Sequence, residues 1–450
     1  MAKSDSSTLI ELVHPICCGL DVHKKAISAC ILTSKEGGEW EFLQEQFGTV
    51  VDDLIRLREW LLENECPVVA MESTGVYWQP VHNILEGYVE VVLVNARHAR
   101  NVPGRKTDVK DSQWLASLLR HGLVRGSFIP PKEVRTWRYW TRHRKLLVRN
   151  ANDWRTRVHR LLQSANIKID SEMSDLFGRS GRNLLKRLVD KDAQVTITEV
   201  KACLKGSLQK KAERIFKAIQ GFFNEHHRQV LASSLRIIEM LESEIDRVDS
   251  HLRIIQGTFQ AILDRLIEVP GIGLVSARAI LAEVGPTLEA FPTEAALSSW
   301  CGLAPGNNES AGKRRSGKPP VKKHWLKTIM VEVAWAAVKK KKSYYKDKYY
   351  RLKARLGSKK AIVALAHRIL KAVYHIIKHG KTFNDLGDEY LAQRNEKSTL
   401  AYLTHKASQI GYKLVPIEKT DSSEPADPAL SGNVQRPSKT PLFPELQPAR

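Results

Sequence analysis

The stretch "ICCGLDVHKKAISACIL", residues 16–32, decides how the first part of the chain is read. An apolar run ends on Asp21, a basic turn follows at His23-Lys24-Lys25, and a second apolar run begins at once. Short apolar runs bounded by polar turns are the pattern of buried strands. Working outward, "KAISACILTSKEGGEWEFLQEQFG" reads as a hairpin turning at Gly37-Gly38, and "TVVDDLIRLREWLLENE" carries apolar residues at helical spacing. A strand "PVVAMES", a short helix near "WQPVHNILEG", a strand "VEVVLVNA" and a helix from about Asp108 to Arg120 follow. Three strands and then alternating helix and strand predict a mixed sheet flanked by helices, an α/β domain over residues 14–125.

Composition bounds the function. Lysine and arginine number 71 against 49 acids, a formal net charge of +22 in 450 residues, which concentrates polyanions at the surface. Nucleic acid is the first partner this implies and an anionic membrane surface the second. The apolar stretches are broken by charges well short of a membrane span, and "MAKSDSSTLIELVHP" lacks the basic and apolar regions of a secretory signal. The expected setting is therefore the cytoplasm, without a membrane partner. The six cysteines show no metal-ligand spacing, and several lie in apolar runs, where cysteine acts as a small hydrophobe.

The remainder divides by pattern. Residues 131–266 begin with "KEVRTWRYWTRHRKLLVRNANDWRTRVHRLL", in which Arg135, Arg138, Arg142 and Arg149 interleave with Trp137, Tyr139, Trp140 and Trp154. That mixture suits phosphates and unstacked bases. Farther on, Leu231, Leu235, Ile238, Leu241, Ile245, Val248, Leu252, Ile255, Phe259, Ile262 and Leu266 recur by threes and fours, the seam of a coiled coil, paired within the chain or across a dimer. Residues 267–390 form a mainly helical domain opened by "EVPGIGLVSARAILAEVG", whose glycine turn resembles a helix-hairpin-helix phosphate site and equally suits a plain turn between helices. Residues 416–450 hold seven of the 19 prolines and read as a disordered tail.

Carboxylates fall at the ends of elements. Asp21 ends the first strand, Glu72 ends "PVVAMES", and Asp108 and Asp111 stand three apart in "GRKTDVKDSQWLA", on one face of a helix and beside Arg105 and Lys106. Converging carboxylates repel unless cations compensate, and two magnesium ions would do so while keeping positions open for phosphate oxygens; manganese has similar ligand preferences. The alternative is structural: Asp108 capping its helix, and Asp21 in a solvated turn.

"CGLAPGNNESAGKRRSGK", residues 301–318, imitates a nucleotide-binding loop but fails it. Five residues rather than four separate Gly306 from Gly312, Arg314 stands where a magnesium-binding hydroxyl belongs, and "SWCGLAP" is not a buried strand. What remains is a serine, Ser310, followed by Lys313, Arg314, Arg315 and Lys318, cations suited to a phosphodiester gaining charge.

"GLDVHKKAISACIL", "MESTGVYWQPV" and "VNARHARNVPGRKTDVKDSQWLASLLRHG" resemble the ribonuclease H-like, RuvC-type domain of DEDD transposases, the insertion-sequence 110 family. "EVPGIGLVSARAILAEVG", "CGLAPGNNESAGKRRSG" and "KHWLKTIMVEVAWAA" resemble that family's C-terminal transposase domain. The resemblance places the family's metal-binding acids on Asp21, Glu72, Asp108 and Asp111 and its nucleophile on Ser310, with Ser316 a substitute, since this chain reads Ser310-Ala311-Gly312 where the family has Ser-Gly. It further implies excision and insertion of a mobile element through a phosphoserine intermediate, a structured guide RNA, and a dimer that assembles to a tetramer on DNA at the nucleoid. Two other readings compete: a metal-dependent RuvC-type nuclease using only the four acids, and a basic nucleic-acid scaffold without catalysis.

Overall fold

Five strands form one mixed sheet at the N-terminal end of the chain: β1 (Cys17–Val22), β2 (Ile27–Ser34), β3 (Trp40–Phe47), β4 (Val68–Glu72) and β5 (Glu90–Val94). The computed structural model describes residues 12–34, 40–73, 75–95, 111–190, 195–306, 308–310, 313–316 and 324–415, with 308–310 and 313–316 given as backbone. Spatial order is β3-β2-β1-β4-β5. The first three strands pair antiparallel, whereas β1 pairs parallel with β4 and β4 parallel with β5. The sheet and the mainly helical chain after it are compatible with the ribonuclease H-like architecture that the resemblance implies.

Alternation along the strands loads both faces. Cys18, Leu20, Val69 and Met71 point to one face and pack against Leu54, Leu57 and Leu61 of α1 (Val51–Glu63) and Leu85 of α2 (Trp78–Leu85). Cys17, Val68, Ala70 and Val94 point to the other, beneath Leu115, Ala116, Leu118 and Leu119 of α3 (Asp111–Arg120). Parallel strands buried on both faces need near-continuous apolar sequence, which is why "PVVAM" shows little alternation. Burial pushes the Cys17 thiol up to about 11 and those of Cys66 and Cys301 up to about 12, so these cysteines are packing groups rather than nucleophiles.

The basic-aromatic segment is one long helix, α4 (Lys132–Ser164). Four short helices follow, α5 (Ile169–Glu172), α6 (Arg179–Val189), α7 (Ile197–Cys203) and α8 (Ala212–Ala218), and then α9 (Glu225–Ile255). The expected seam is buried at Leu231, Leu235, Ile238, Leu241, Val248 and Leu252. Arg144 to Asp249 at 2.7 Å and Arg155 to Glu242 at 2.5 Å fix α4 and α9 antiparallel within the chain. The short helices pack Ile169, Leu184, Leu185, Val200 and Ile215 with Val158, Leu162, Leu231 and Leu235 of the long pair.

One expectation is corrected here. The seam does not run through a single helix to Leu266: α9 ends at Ile255, a 3-10 turn spans Gly257–Phe259, and α10 (Gln260–Ile267) begins anew. Gly257 weakens the helix there, and Phe259 stacks on Trp137 of α4 with ring centroids 5.2 Å apart. The pairing of α9 seen here, with α4, lies within the chain.

Downstream come α11 (Leu274–Val284), α12 (Glu294–Cys301), a two-stranded antiparallel ribbon of β6 (Asn308–Ser310) and β7 (Lys313–Ser316), α13 (Trp325–Lys339), α14 (Tyr344–Leu356) and α15 (Ser358–His379). The PGIG turn serves packing. Gly271 has φ 87°, and a Cβ there would lie 2.3 Å from the Val333 carbonyl and 2.6 Å from the Ala337 nitrogen on α13. A second unit begins at Glu389 and contains α16 (Tyr390–Gln409); the proline-rich segment 416–450 lies outside the described residues. Among the described residues no helix is long and apolar enough to cross a membrane.

Candidate acidic active site and nucleic-acid interface

Asp21 and Glu72 are brought together by strand register. Gly19 pairs with Ala70 and Leu20 with Met71 in the parallel β1–β4 ladder, so the next residues, Asp21 and Glu72, stand side by side at the strands' C-terminal ends. Side-chain alternation puts both on the face of Cys17 and Ala70, the one covered by α3. C-terminal edges of parallel strands are where open α/β sheets mount ligand-binding groups.

Glycine at position 19 sets how closely α3 approaches. A Cβ there would lie 2.0 Å from the Ser112 carbonyl oxygen and 2.6 Å from the Ala116 nitrogen. At the helix's far end Arg120, 2% exposed, donates to Ser34 Oγ at 2.8 Å. Since Ser34 closes β2, antiparallel to β1, the helix starts beside the C-terminal end of β1. Asp111, the first residue of α3, therefore sits at the same edge as Asp21 and Glu72. Gly19→Ala is expected to destabilise the sheet domain by about 1–3 kcal/mol through overpacking, read as a lower melting temperature; an unchanged melting temperature would contradict this packing.

Asp21 is only partly exposed, and its Oδ2 lies 3.1 Å from Nε2 of the exposed His23. Asp108, Arg105 and Lys106 lie outside the described residues, so the fourth acid and its basic neighbours have no placement here. Among the described residues no group of three or more His, Cys, Asp or Glu is close enough to hold a metal ion. The donors nonetheless fit magnesium in kind. It takes hard oxygen ligands and is commonly held by one or two carboxylates completed by water and substrate phosphates, rather than by an all-protein cage.

Comparison with known proteins gives the second half of the picture. A DEDD-type IS110 transposase model matches residues 18–167, which include Asp21, Glu72 and Asp111, and a model described as "Transposase IS116/IS110/IS902 family" matches residues 263–351, which include Ser310. The chain belongs to the IS110-type transposase family. A relative named as a mini-circle IS117 transposase, from Streptomyces coelicolor, is 25% identical over 208 residues, 43% of this chain and 50% of its own length. One named as a family 20 transposase, from Pseudomonas aeruginosa, is 30% identical over 104 residues, 23% of this chain and 30% of its own. The matches thus span half or less of these curated relatives.

In this IS110-family chain Ser310 ends β6, with its backbone paired to Lys313 of β7, while Glu309 pairs with Arg314 and Asn308 with Ser316. Ser310 and Lys313 are thus the ribbon's last pair before the two residues that join its strands. Lys318 lies outside the described residues, as do the side chains of Ser310, Lys313, Arg314 and Arg315. The segment before the ribbon is the end of a helix, α12, closed by Gly302 at φ 75°, and not the strand a nucleotide loop requires. His324, the histidine nearest Ser310 in sequence, caps α13 by accepting the Leu326 N–H on Nδ1 at 3.2 Å and packs edge-on to Trp300.

Several basic-aromatic residues of α4 are engaged in the fold. Arg135 forks onto Glu86 at 2.6 and 2.7 Å. Trp137 is buried. Arg138 donates to the Ala282 and Glu283 carbonyls at the end of α11, and Arg142 grips the Glu283 carboxylate at 2.7 and 2.8 Å. Burial pushes Arg138 down to about 10, against the opposing pull of Glu283, and it stays cationic near neutral pH. The i, i+4 spacing of arginines at 138 and 142 was the signal for this clamp, but its carboxylate stands 141 residues away from Arg142. Glu283→Ala is expected to destabilise the chain by about 1–3 kcal/mol, because it takes the carboxylate from Arg142 and the opposite charge from beside part-buried Arg138, which keeps its two carbonyl acceptors; chemical denaturation reads this, and an unchanged stability would refute the clamp.

Other parts of α4 remain accessible. Tyr139 is 67% exposed and stacks on His143, and Trp140 lies 4.5 Å from His251 of α9, centroid to centroid. Arg149 is exposed. An exposed aromatic step on a basic helix suits an unstacked base.

Proposed function

We propose that this chain is a DNA transposase that excises and inserts a mobile element by breaking and rejoining phosphodiesters. The observation that carries the reading is the edge where Asp21 and Glu72 stand in adjacent parallel register beside the start of α3 at Asp111. Asp21, Glu72, Asp111 and Asp108 would hold magnesium ions, which when bound neutralise charge on the phosphate. Ser310 is the nucleophile: its Oγ forms a bond to phosphorus as a P–O bond to deoxyribose breaks, and its proton ends on the departing hydroxyl. A later attack by another DNA hydroxyl on the phosphoserine reverses the exchange, so rejoining needs no nucleotide hydrolysis. Lys313, Arg314 and Arg315 follow Ser310 directly and offer cations to the phosphate oxygens.

Sequence choice in this reading comes from a structured RNA that base-pairs with target and donor. The net charge of +22 and the exposed Tyr139 step support a nucleic-acid partner of that kind. The working form is a dimer that assembles to a tetramer on two duplexes, which lets the acidic edge of one subunit meet Ser310 of another. The deciding experiment is a strand-exchange assay on DNA carrying the element's ends, with and without the RNA encoded beside the gene. RNA-dependent exchange is expected; exchange unaffected by ribonuclease removes the guide, and hydrolysis without rejoining leaves the nuclease reading.

A further inference from the structure

A groove of about 1050 Å³ opens between α4, α9, α11 and α13, and Asp21, Glu72 and Asp111 are not among its lining residues. Its lining is rich in cations: Arg144, Lys145 and Arg149 from α4, Arg278 from α11 and Lys327 from α13. Asp153, Asp249 and Glu332 also line it, and two of these carboxylates are engaged. Asp249 accepts both nitrogens of an Arg144 fork at 2.7 and 2.8 Å, and Glu332 holds Lys145 at 2.7 Å. Cations therefore outnumber acids on the walls, and among the described residues no carboxylate pairs with Arg149 or Lys327.

Arg278 is the unusual member. Its side chain is 4% exposed, its Nε donates to Gln256 Oε1 at 2.6 Å, and its Nη1 lies 3.8 Å from the already engaged Asp249. Its Nη2 is buried with no hydrogen-bond partner among the described residues. A guanidinium nitrogen kept from both water and protein acceptors costs about 1–3 kcal/mol or more, so such an atom calls for an explanation. An anionic oxygen entering the groove would supply one.

We propose that this groove binds the phosphodiester backbone of a nucleic-acid strand, with Arg278 as a fixed donor to one phosphate and Arg149 and Lys327 as cationic walls. The assignment rests on the nucleic-acid function proposed above. Guanidinium forks match phosphate oxygens in geometry, and Arg278 is already oriented by Gln256, so little rotamer freedom is lost on binding. Free phosphate offers the same oxygens, but a groove that spans four helices has room for several nucleotides.

The test uses the full-length protein and fluorescent single-stranded and duplex oligonucleotides of both DNA and RNA, titrated across a range of salt. Arg149→Glu and Lys327→Glu alter groove walls without removing a described intrachain partner, and Arg278→Lys keeps a charge beside Asp249 while removing the fork. Each is expected to weaken binding about ten-fold; the two charge reversals also reduce the slope of log affinity against log salt by about 1 with the melting temperature unchanged, whereas Arg278→Lys keeps the slope and, having lost the Gln256 bond, is compared at a temperature where it is fully folded. Arg236→Glu, an exposed change on α9 outside the groove, should do neither. Equal losses in Arg236→Glu would mean a diffuse field and overturn the site, as would full affinity in all three groove variants. If millimolar inorganic phosphate raises the wild-type melting temperature as much as an oligonucleotide does, and Arg278→Lys removes that rise, the occupant is a small phosphate and the backbone assignment falls. Strand breakage by the wild type, measured alongside, separates the two readings: breakage with unaffected groove variants sinks the groove alone.

Discussion

Asp21→Asn is expected to lower DNA strand breakage about a thousand-fold or more while leaving nucleic-acid affinity within about two-fold. The size follows from the role proposed for the site. Charge stabilisation of a reacting phosphate is worth several kcal/mol, and a loss of roughly 4 kcal/mol is about a thousand-fold in rate. Asparagine keeps the shape of aspartate and an oxygen that can accept from His23, 3.1 Å away, so the fold is expected to tolerate it. What it removes is the negative charge beside Glu72. Glu72→Gln and Asp111→Asn should give losses of the same order, and a chelator should reproduce them in the unaltered protein. Asp108→Asn asks a separate question, since that residue lies outside the described residues. Breakage within ten-fold of wild type in Asp21→Asn would remove the acidic edge from the mechanism and, with it, both the transposase and the nuclease readings.

How much of this was legible in the sequence differs between the two halves. Each strand of the sheet is a local object, and apolar runs ending on Asp21 and Glu72 were enough to place those acids at strand ends. That the two stand side by side follows from the parallel β1–β4 register, which joins segments about fifty residues apart. The role of Gly19 was not legible, because nothing in "CCGLDV" says that the backbone of Ser112 and Ala116 will press against it. The basic helix shows a limit of another kind. Its arginines were read as nucleic-acid ligands, and Arg135, Arg138 and Arg142 also hold Glu86 and Glu283 within the chain. A charge pattern shows that a helix is cationic and leaves open which partner neutralises it. The heptad seam failed at one point for a similar reason: spacing continued through Gly257 into Leu266, but the stacking of Phe259 on Trp137 is a tertiary contact that spacing does not encode.

Ser310→Ala is the second decisive change, expected to abolish any covalent protein-DNA product and to lower strand exchange by at least about 10⁴-fold, the scale on which loss of a nucleophile acts. The measurement is a denaturing gel of protein incubated with end-labelled DNA, in which a phosphoserine ester migrates as a protein-sized labelled band. Two outcomes separate the proposals. If Ser310→Ala still cuts and the acidic variants do not, water is the nucleophile and the enzyme is a metal-dependent nuclease; if neither change matters, the chain is a scaffold. Ser316→Ala is the internal control, because its backbone pairs with Asn308 at the other end of the ribbon, whereas Ser310 pairs with Lys313 beside the connection between the strands. A serine at a ribbon's tip is presented to a bulky DNA strand more readily than one at its base, so the band should survive Ser316→Ala. Ala311→Gly then tests the departure from the family's Ser-Gly pattern. Removing one methyl next to Ser310 relaxes the backbone of the connection, and a nucleophile limited by that turn should react faster in the variant. An unchanged rate would mean that the alanine is accommodated and that Ser310 is limited instead by how the acidic edge is brought to it.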